Sequence, residues 1–183
     1  MRSKVYLDMD GVLVDFLGGA AKAHNRELPY HLPEAKGIWN TEKLWKITPE
    51  EFWAPLEFCG FWTSLKKTPL ADDLVELIED YFGRENIDIL TAPSQSKFCI
   101  PEKREWMRRY FPQFENRMIF DWKKGKYASP SSYLFDDRDK NILEFEEAGG
   151  IGIIVPQEWN SLWQKASRPI TSIIKQLNLG ERM

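Results

Sequence analysis

The chain has 183 residues, 43% hydrophobic and 29% charged, a length and composition suited to one globular domain carrying an insertion. No apolar run is long enough to span a bilayer, so no membrane association is expected. A net charge of -3 argues against a nucleic-acid polymer as partner, because duplex binding needs a basic face that neutralises several phosphates.

In chain order, Met1 to Lys4 leads directly into a short apolar strand at Val5-Tyr6-Leu7, so no signal peptide is expected. The strand is followed by Asp8-Met9-Asp10-Gly11, two carboxylates one residue apart where a turn begins. Asp is a poor strand former, and in an open parallel sheet ligands bind outside the carboxyl ends of strands. After Asp15 a helix is expected, with Leu17, Ala20 and Ala21 on its apolar side, until Leu28-Pro29 and Leu32-Pro33 break it. Gly37 to Trp62 is crowded with rings and has neither strand alternation nor a long helical period. A short helix is expected there from Thr48-Pro49-Glu50-Glu51. The stretch reads as a small helical insertion over residues 16–65, between a core made of residues 1–15 and 66–183.

Regularity returns at Thr68-Pro69, an expected helix start with Leu70, Leu74, Leu77, Ile78 and Tyr81 on one face and Gly83 as its stop. A strand follows at Ile87 to Thr91, then a helix from Pro101-Glu102 with Trp106, Met107, Tyr110 and Phe111 inward. Met118 to Phe120 is a third strand. Tyr133 to Phe135 is a fourth, ending in Asp136-Asp137-Arg138; a helix from Asn141 to Ala148 and a fifth strand at Ile151 to Val155 come next. Ile170, Ile173, Ile174 and Leu177 suit a last packing helix. Strand and helix alternating in this way imply an α/β, Rossmann-like three-layer parallel sheet with a small helical cap inserted after strand 1.

All these strand ends share one edge, so Asp8, Asp10, Asp136, Asp137 and Thr91 should converge. Carboxylates in such number repel one another, and a hard cation that takes oxygen ligands, Mg²⁺ above all, resolves the conflict. Cys59 and Cys99 are isolated, which fits a reducing cytoplasm. His24 and His31 have neither metal-ligand spacing nor a nucleophile to pair with.

Asp8-Met9-Asp10-Gly11-Val12, Leu90-Thr91, a lysine upstream of the last pair, and Leu134-Phe135-Asp136-Asp137 resemble the four ordered motifs of the haloacid dehalogenase superfamily of phosphotransferases. The string from Asp8 to Phe16, with Cys99-Ile100-Pro101-Glu102-Lys103 and Phe135-Asp136-Asp137-Arg138, resembles the 5′(3′)-deoxyribonucleotidases more narrowly, and the likeness runs from the first strand to the fifth. It implies a Mg²⁺-dependent phosphomonoesterase acting on (deoxy)nucleoside monophosphates through an aspartyl phosphate. Asp8 would be the nucleophile and Asp10 the acid and base. Thr91 and the backbone at Ala92 would bind the phosphoryl oxygens. The metal would lie among Asp8, Asp10, Asp136 and Asp137, with Asp137 bound directly and Asp136 through water. The interval to the aspartate pair selects Lys126 over Lys123 and Lys124, which read as solvated loop. Lys103 is either a second phosphate contact or a surface lysine. Phe16, Ile38, Trp39 and Trp53 are the nominated base pocket, with Asn40 departing from the expected apolar residue. The same chemistry on a sugar phosphate, a polynucleotide end-phosphatase, and a non-catalytic nucleotide- or phosphate-binding module stay open, as does the oligomeric state, a homodimer included.

Overall fold

A computed structural model describes residues 3–180; Met1 and Arg2, part of the lead-in to the first strand, lie outside the described residues. Five strands form one parallel sheet: β1 (Lys4–Leu7), β2 (Ile87–Thr91), β3 (Met118–Phe120), β4 (Ser132–Asp136) and β5 (Ile151–Ile154), in the order β3-β2-β1-β4-β5. The register sets Leu7 beside Ile89 on one side and beside Phe135 on the other. The chain turning after Leu7 therefore emerges between the ends of β2 and β4, where an α/β sheet reverses its strand order and holds its ligands.

The period of two along each strand sorts residues between two cores. Val5, Leu7, Ile87, Ile89, Phe135 and Ile153 belong to the larger one; Tyr6, Leu90, Leu134 and Ile154 belong to the smaller. The larger core packs α5 (Ala71–Phe82), α6 (Cys99–Tyr110) and α8 (Pro169–Gly180) through Leu74, Ile78, Trp106, Ile173 and Leu177. The smaller takes Ile142 and Phe145 of α7 (Asp139–Glu147). Helices on both faces make the expected three layers.

Between β1 and α5 lie α1 (Phe16–Ala23), α2 (Thr41–Leu44), α3 (Pro49–Trp53) and α4 (Phe61–Ser64), with two 3₁₀ turns between α1 and α2 and one between α3 and α4. Thr48 caps α3, and Glu51 returns the bond to the Thr48 N–H, the capping box implied by Thr48-Pro49-Glu50-Glu51. The rings Tyr30, Phe52, Phe61 and Trp62 join the larger core. Tyr30 donates its hydroxyl to the Ile38 carbonyl at 3.0 Å and receives one from Thr41 at 2.8 Å, which fixes the chain around Trp39.

Three helix details depart from the sequence reading. Thr68 does not cap α5: its N–H and hydroxyl bond the carbonyls of Leu13 (2.9 Å) and Val12 (2.6 Å), so it secures the Asp8–Asp15 turn, and α5 begins at Ala71. The nonpolar rings of Tyr81 and Tyr110 are substantially exposed, because α5 and α6 bury narrower stripes than a count of apolar residues implies. Ile174 of α8 is exposed for the same reason.

Candidate phosphoryl-transfer site

The turn after β1 is built by its own carbonyls. Met9 accepts from Leu13 and Val14 at 2.9 Å each, Gly11 N–H donates to Val14 at 2.8 Å, and Asp8 N–H reaches Phe135 of β4 at 2.9 Å. Gly11 has φ +75°, and a Cβ there would stand 2.1 Å from Asp137 Oδ2. No side chain fits between the turn and the second acidic pair. Gln157 donates to the Gly11 carbonyl at 2.6 Å, tying the loop after β5 to the same turn.

Asp8, Asp136 and Asp137 are all buried, and one oxygen from each lies within 4.8 Å of the others. One lysine enters this cluster, Lys124, whose Nζ stands 2.5 Å from Asp136 Oδ2 and 2.7 Å from Asp8 Oδ1. Burial works against its ammonium, but Asp136 and Asp8 outweigh that and hold it protonated far above neutrality. The carboxylates move the other way. Burial, then repulsion from Asp136 and Asp10, pushes Asp8 up to about 7 against the pull of Lys124; burial with Asp136 and Asp8 raises Asp137 well above the carboxylate range.

The two members of the acidic pair are used differently. Asp136 has both oxygens occupied: Oδ1 accepts from Arg138 N–H (2.9 Å) and Asn141 (3.1 Å), and Oδ2 from Lys124 and Asn141 (3.0 Å). Asp137 Oδ2 accepts from Trp159 Nε1 at 2.6 Å, while its Oδ1 is buried with no partner among the described residues. A buried carboxylate oxygen without a donor is unfavourable unless something electropositive faces it. An all-oxygen set with excess negative charge and this orphan atom fits a hard divalent cation.

The lysine chosen on spacing is not the one the fold brings inward. Lys126 is 58% exposed and pairs with Asp121 at 2.9 Å. Residues 124–127 form a 3₁₀ turn, whose period of three puts Lys124 on the same face as Tyr127. Tyr127 packs on Tyr6 with ring centroids 5.5 Å apart, so that face is the inner one. The signal in the sequence was Tyr127 three residues on, not the distance to Asp136.

Lys103 is fully buried rather than a surface residue of α6. Its Nζ donates to Asp10 Oδ2 (2.5 Å), Thr91 Oγ1 (2.8 Å) and the Ala92 carbonyl (3.0 Å), and lies 4.9 Å from the Trp62 ring centre. It joins the end of β2 to the turn after β1. The other oxygen of Asp10 is buried without a partner among the described residues.

Above these groups is a cavity of about 210 Å³ lined by Asp8, Asp10, Lys124, Asp137 and Arg138 at its polar end and by Phe16, Trp39, Trp53 and Trp62 beyond. Phe16 stacks on Trp62 at 5.5 Å and 16°. Arg138 lies over Trp39 at 5.1 Å. Ile38, nominated with these rings, is not among the lining residues; it is 38% exposed and contributes its carbonyl to Tyr30 instead. Phe52 and Trp62, outside the nominated set, also line the cavity.

A family model described as 5′ nucleotidase, deoxy (Pyrimidine), cytosolic type C protein matches residues 2–170. The chain is 30% identical over 146 residues to the mitochondrial 5′(3′)-deoxyribonucleotidase of Homo sapiens, covering 74% of this chain and 62% of that protein. It is 30% identical over 145 residues to the human cytosolic type, covering 74% of this chain and 71% of that protein. Among solved structures it resembles a haloacid dehalogenase family hydrolase from Deinococcus radiodurans R1 with bound phosphate and sodium, at a TM-score of 0.52 and 12% identity, covering 85% of this chain and 82% of that one. A haloacid dehalogenase-like protein from Streptococcus pneumoniae gives 0.51 and 10% over 95% and 90% of the two chains. These likenesses bear on the fold, which is that of the haloacid dehalogenase-like hydrolases.

Proposed function

Because the chain belongs to the 5′ nucleotidase, deoxy (pyrimidine), cytosolic type C family, we propose that it is a phosphoric monoester hydrolase that takes (deoxy)nucleoside monophosphates to nucleoside and phosphate. The observation that carries this reading is the acidic cluster with the buried Lys124 set into it, under a cavity walled by aromatic rings. Asp8 is the nucleophile: its carboxylate displaces the ester oxygen from phosphorus, the P–O bond to the sugar breaks, and an aspartyl phosphate forms. Asp10 gives the departing oxygen its proton and then takes one from the water that cleaves the acyl phosphate, returning Asp8 and releasing phosphate. Lys124, which lines the cavity, would be a fixed donor to the charge gathered on the transferred group, and such donors are worth most in a water-poor site; Thr91, fully buried and held by Lys103 at 2.8 Å, lies outside the cavity lining and would act through that lysine.

Asp8 and Asp137, with the main chain at Asp10, would hold Mg²⁺, and Asp136 would act through water because both its oxygens are already bonded. When bound, the cation neutralises the carboxylates and offsets phosphoryl charge as a Lewis acid. Two free thiols, one of them exposed, suit a reducing compartment such as the cytoplasm.

Phosphate release from 5′- and 3′-deoxynucleotides and from sugar phosphates, with and without Mg²⁺, tests the reading. Turnover favouring nucleotides, abolished in Asp8→Asn while the protein still folds, is the expected result. A profile biased to sugar phosphates would overturn the substrate assignment, and full activity in Asp8→Asn the mechanism.

A further inference from the structure

The cavity above the acidic cluster adjoins a second one of about 510 Å³, and four residues line both: Pro49 and Trp53 from the inserted helices, Ser94 and Trp122 from the loops after β2 and β3. Residues shared by two cavities stand at their boundary, so these four frame a doorway with one side from each half of the molecule. The cations Lys124 and Arg138 line only the first cavity, and among the described residues no Lys or Arg lines the second. A phosphate is therefore drawn to the inner end, and what reaches the doorway is the rest of the substrate.

Trp122 is unlike the other rings there. Phe16, Trp53 and Trp62 pack on one another, with Phe16–Trp53 and Phe16–Trp62 centroids 5.8 and 5.5 Å apart. Trp122 is 59% exposed, the most of any large apolar side chain among the described residues, and has no aromatic or cationic ring partner among them. Its backbone is nevertheless held. Asp121 accepts from Lys123 N–H (2.8 Å), Lys126 Nζ (2.9 Å) and Tyr127 Oη (3.2 Å), which clasps the loop around Trp122 two residues before Lys124. An uncovered indole on an anchored loop, at the mouth of a cavity and a fixed step from the lysine in the charged end, is a surface placed for a planar ligand.

We propose that Trp122 is a specificity-determining residue: it stacks on the heterocycle of the substrate at the doorway, with Trp53 on the opposite half. This rests on the nucleotide reading above. The ring is selected by its π face, so the contact favours any nucleobase over an aliphatic ester without choosing among bases.

The test compares wild type, Trp122→Ala and Trp122→Phe on thymidine 5′-monophosphate and on glycerol phosphate, which has no ring, with circular dichroism as the check on folding. Trp122→Ala should raise KM for the nucleotide about tenfold, the usual scale of a lost stacking contact, with kcat within about twofold and no change on glycerol phosphate. Trp122→Phe should recover most of the difference. An unchanged nucleotide KM, or an equal loss on both esters, would overturn the proposal, the latter placing the effect in the Lys124 loop. Wild type favouring glycerol phosphate would overturn the nucleotide reading and this proposal with it; wild type favouring the nucleotide with an indifferent Trp122→Ala would sink this proposal alone.

Discussion

Lys124 and Lys126 stand two residues apart with the same charge, yet one lies against two carboxylates in the interior and the other on the surface against Asp121. Their variants should separate accordingly. Lys124→Met is expected to lower kcat at least a hundredfold, the loss typical of a preorganised donor to a developing anion, and Lys126→Ala to stay within about twofold. Steady-state phosphate release measures both, and equal effects would contradict the assignment. Gly11 is as constrained. In Gly11→Ala the new methyl would meet Asp137 Oδ2, and the positive φ adds roughly 1–2 kcal/mol of backbone strain. Mg²⁺ binding, followed by calorimetry, should be lost in that variant, and a wild-type isotherm would show that the turn can yield. The two positions also show what was readable beforehand. Asp8, Asp10, Asp136 and Asp137 could be found because polar residues ending apolar strands break a local preference. Lys124 could not be found by counting, because a 3₁₀ turn, not sequence distance, selects which lysine of the run faces inward.

At the scale of elements, α4 is too short to hold itself and depends on α6. Glu102 accepts from the N–H groups of Gly60 (2.6 Å) and Trp62 (3.0 Å) at the start of α4, and Trp106 donates to the Leu65 carbonyl at its far side (2.9 Å). Glu102 thus serves as a cap from a distant part of the chain, satisfying donors left open by a helix whose N-cap is a glycine. Removing it in Glu102→Ala leaves two part-buried or buried N–H groups unpaired and should cost about 2 kcal/mol, read from urea unfolding by circular dichroism. A second consequence is kinetic: Trp62 lines the cavity, so nucleotide KM should rise as well. If stability is unchanged, water has replaced the carboxylate. The contacts of Glu102 were not legible in sequence, where it marks only the start of a helix rich in charge, and its neighbour Lys103 could be left only as a phosphate contact or a surface lysine. Only the packing of α6 against the inserted helices turns both inward.

For the whole molecule, the acidic cluster makes stability a function of pH and metal. Asp8 is raised to about 7 in the fold against 3.8 unperturbed, so between those values the folded chain keeps a proton that the unfolded chain has released. That proton favours the fold below about pH 7 and the benefit is lost as pH rises through 7; Asp137 acts in the same direction, while Lys124 stays charged across this range. Metal-free protein should therefore be less stable at pH 8 than at pH 6, by about 1 kcal/mol from Asp8 alone. Mg²⁺ should remove the difference by taking the place of the proton, and Asp8→Asn should flatten it. Thermal unfolding in chelator at the two pH values decides the point, and greater stability at pH 8 would show that the cluster is not strained when empty of cation. The parallel sheet itself was the most legible part, since its strands alternate between two cores along lines their apolar residues already mark. The inserted helices were legible only as a region. Their architecture comes from ring against ring at long range, and no local period encodes that.

Five of the eight tryptophans, Trp39, Trp53, Trp62, Trp122 and Trp159, line one cavity. The intrinsic fluorescence of the protein is therefore largely a report from that chamber. Nucleotide titrations need no label, since a base entering among these indoles changes the emission directly. The same concentration of fluorophores makes emission a poor gauge of global unfolding, because a loosened cavity would shift the spectrum while the sheet is still intact.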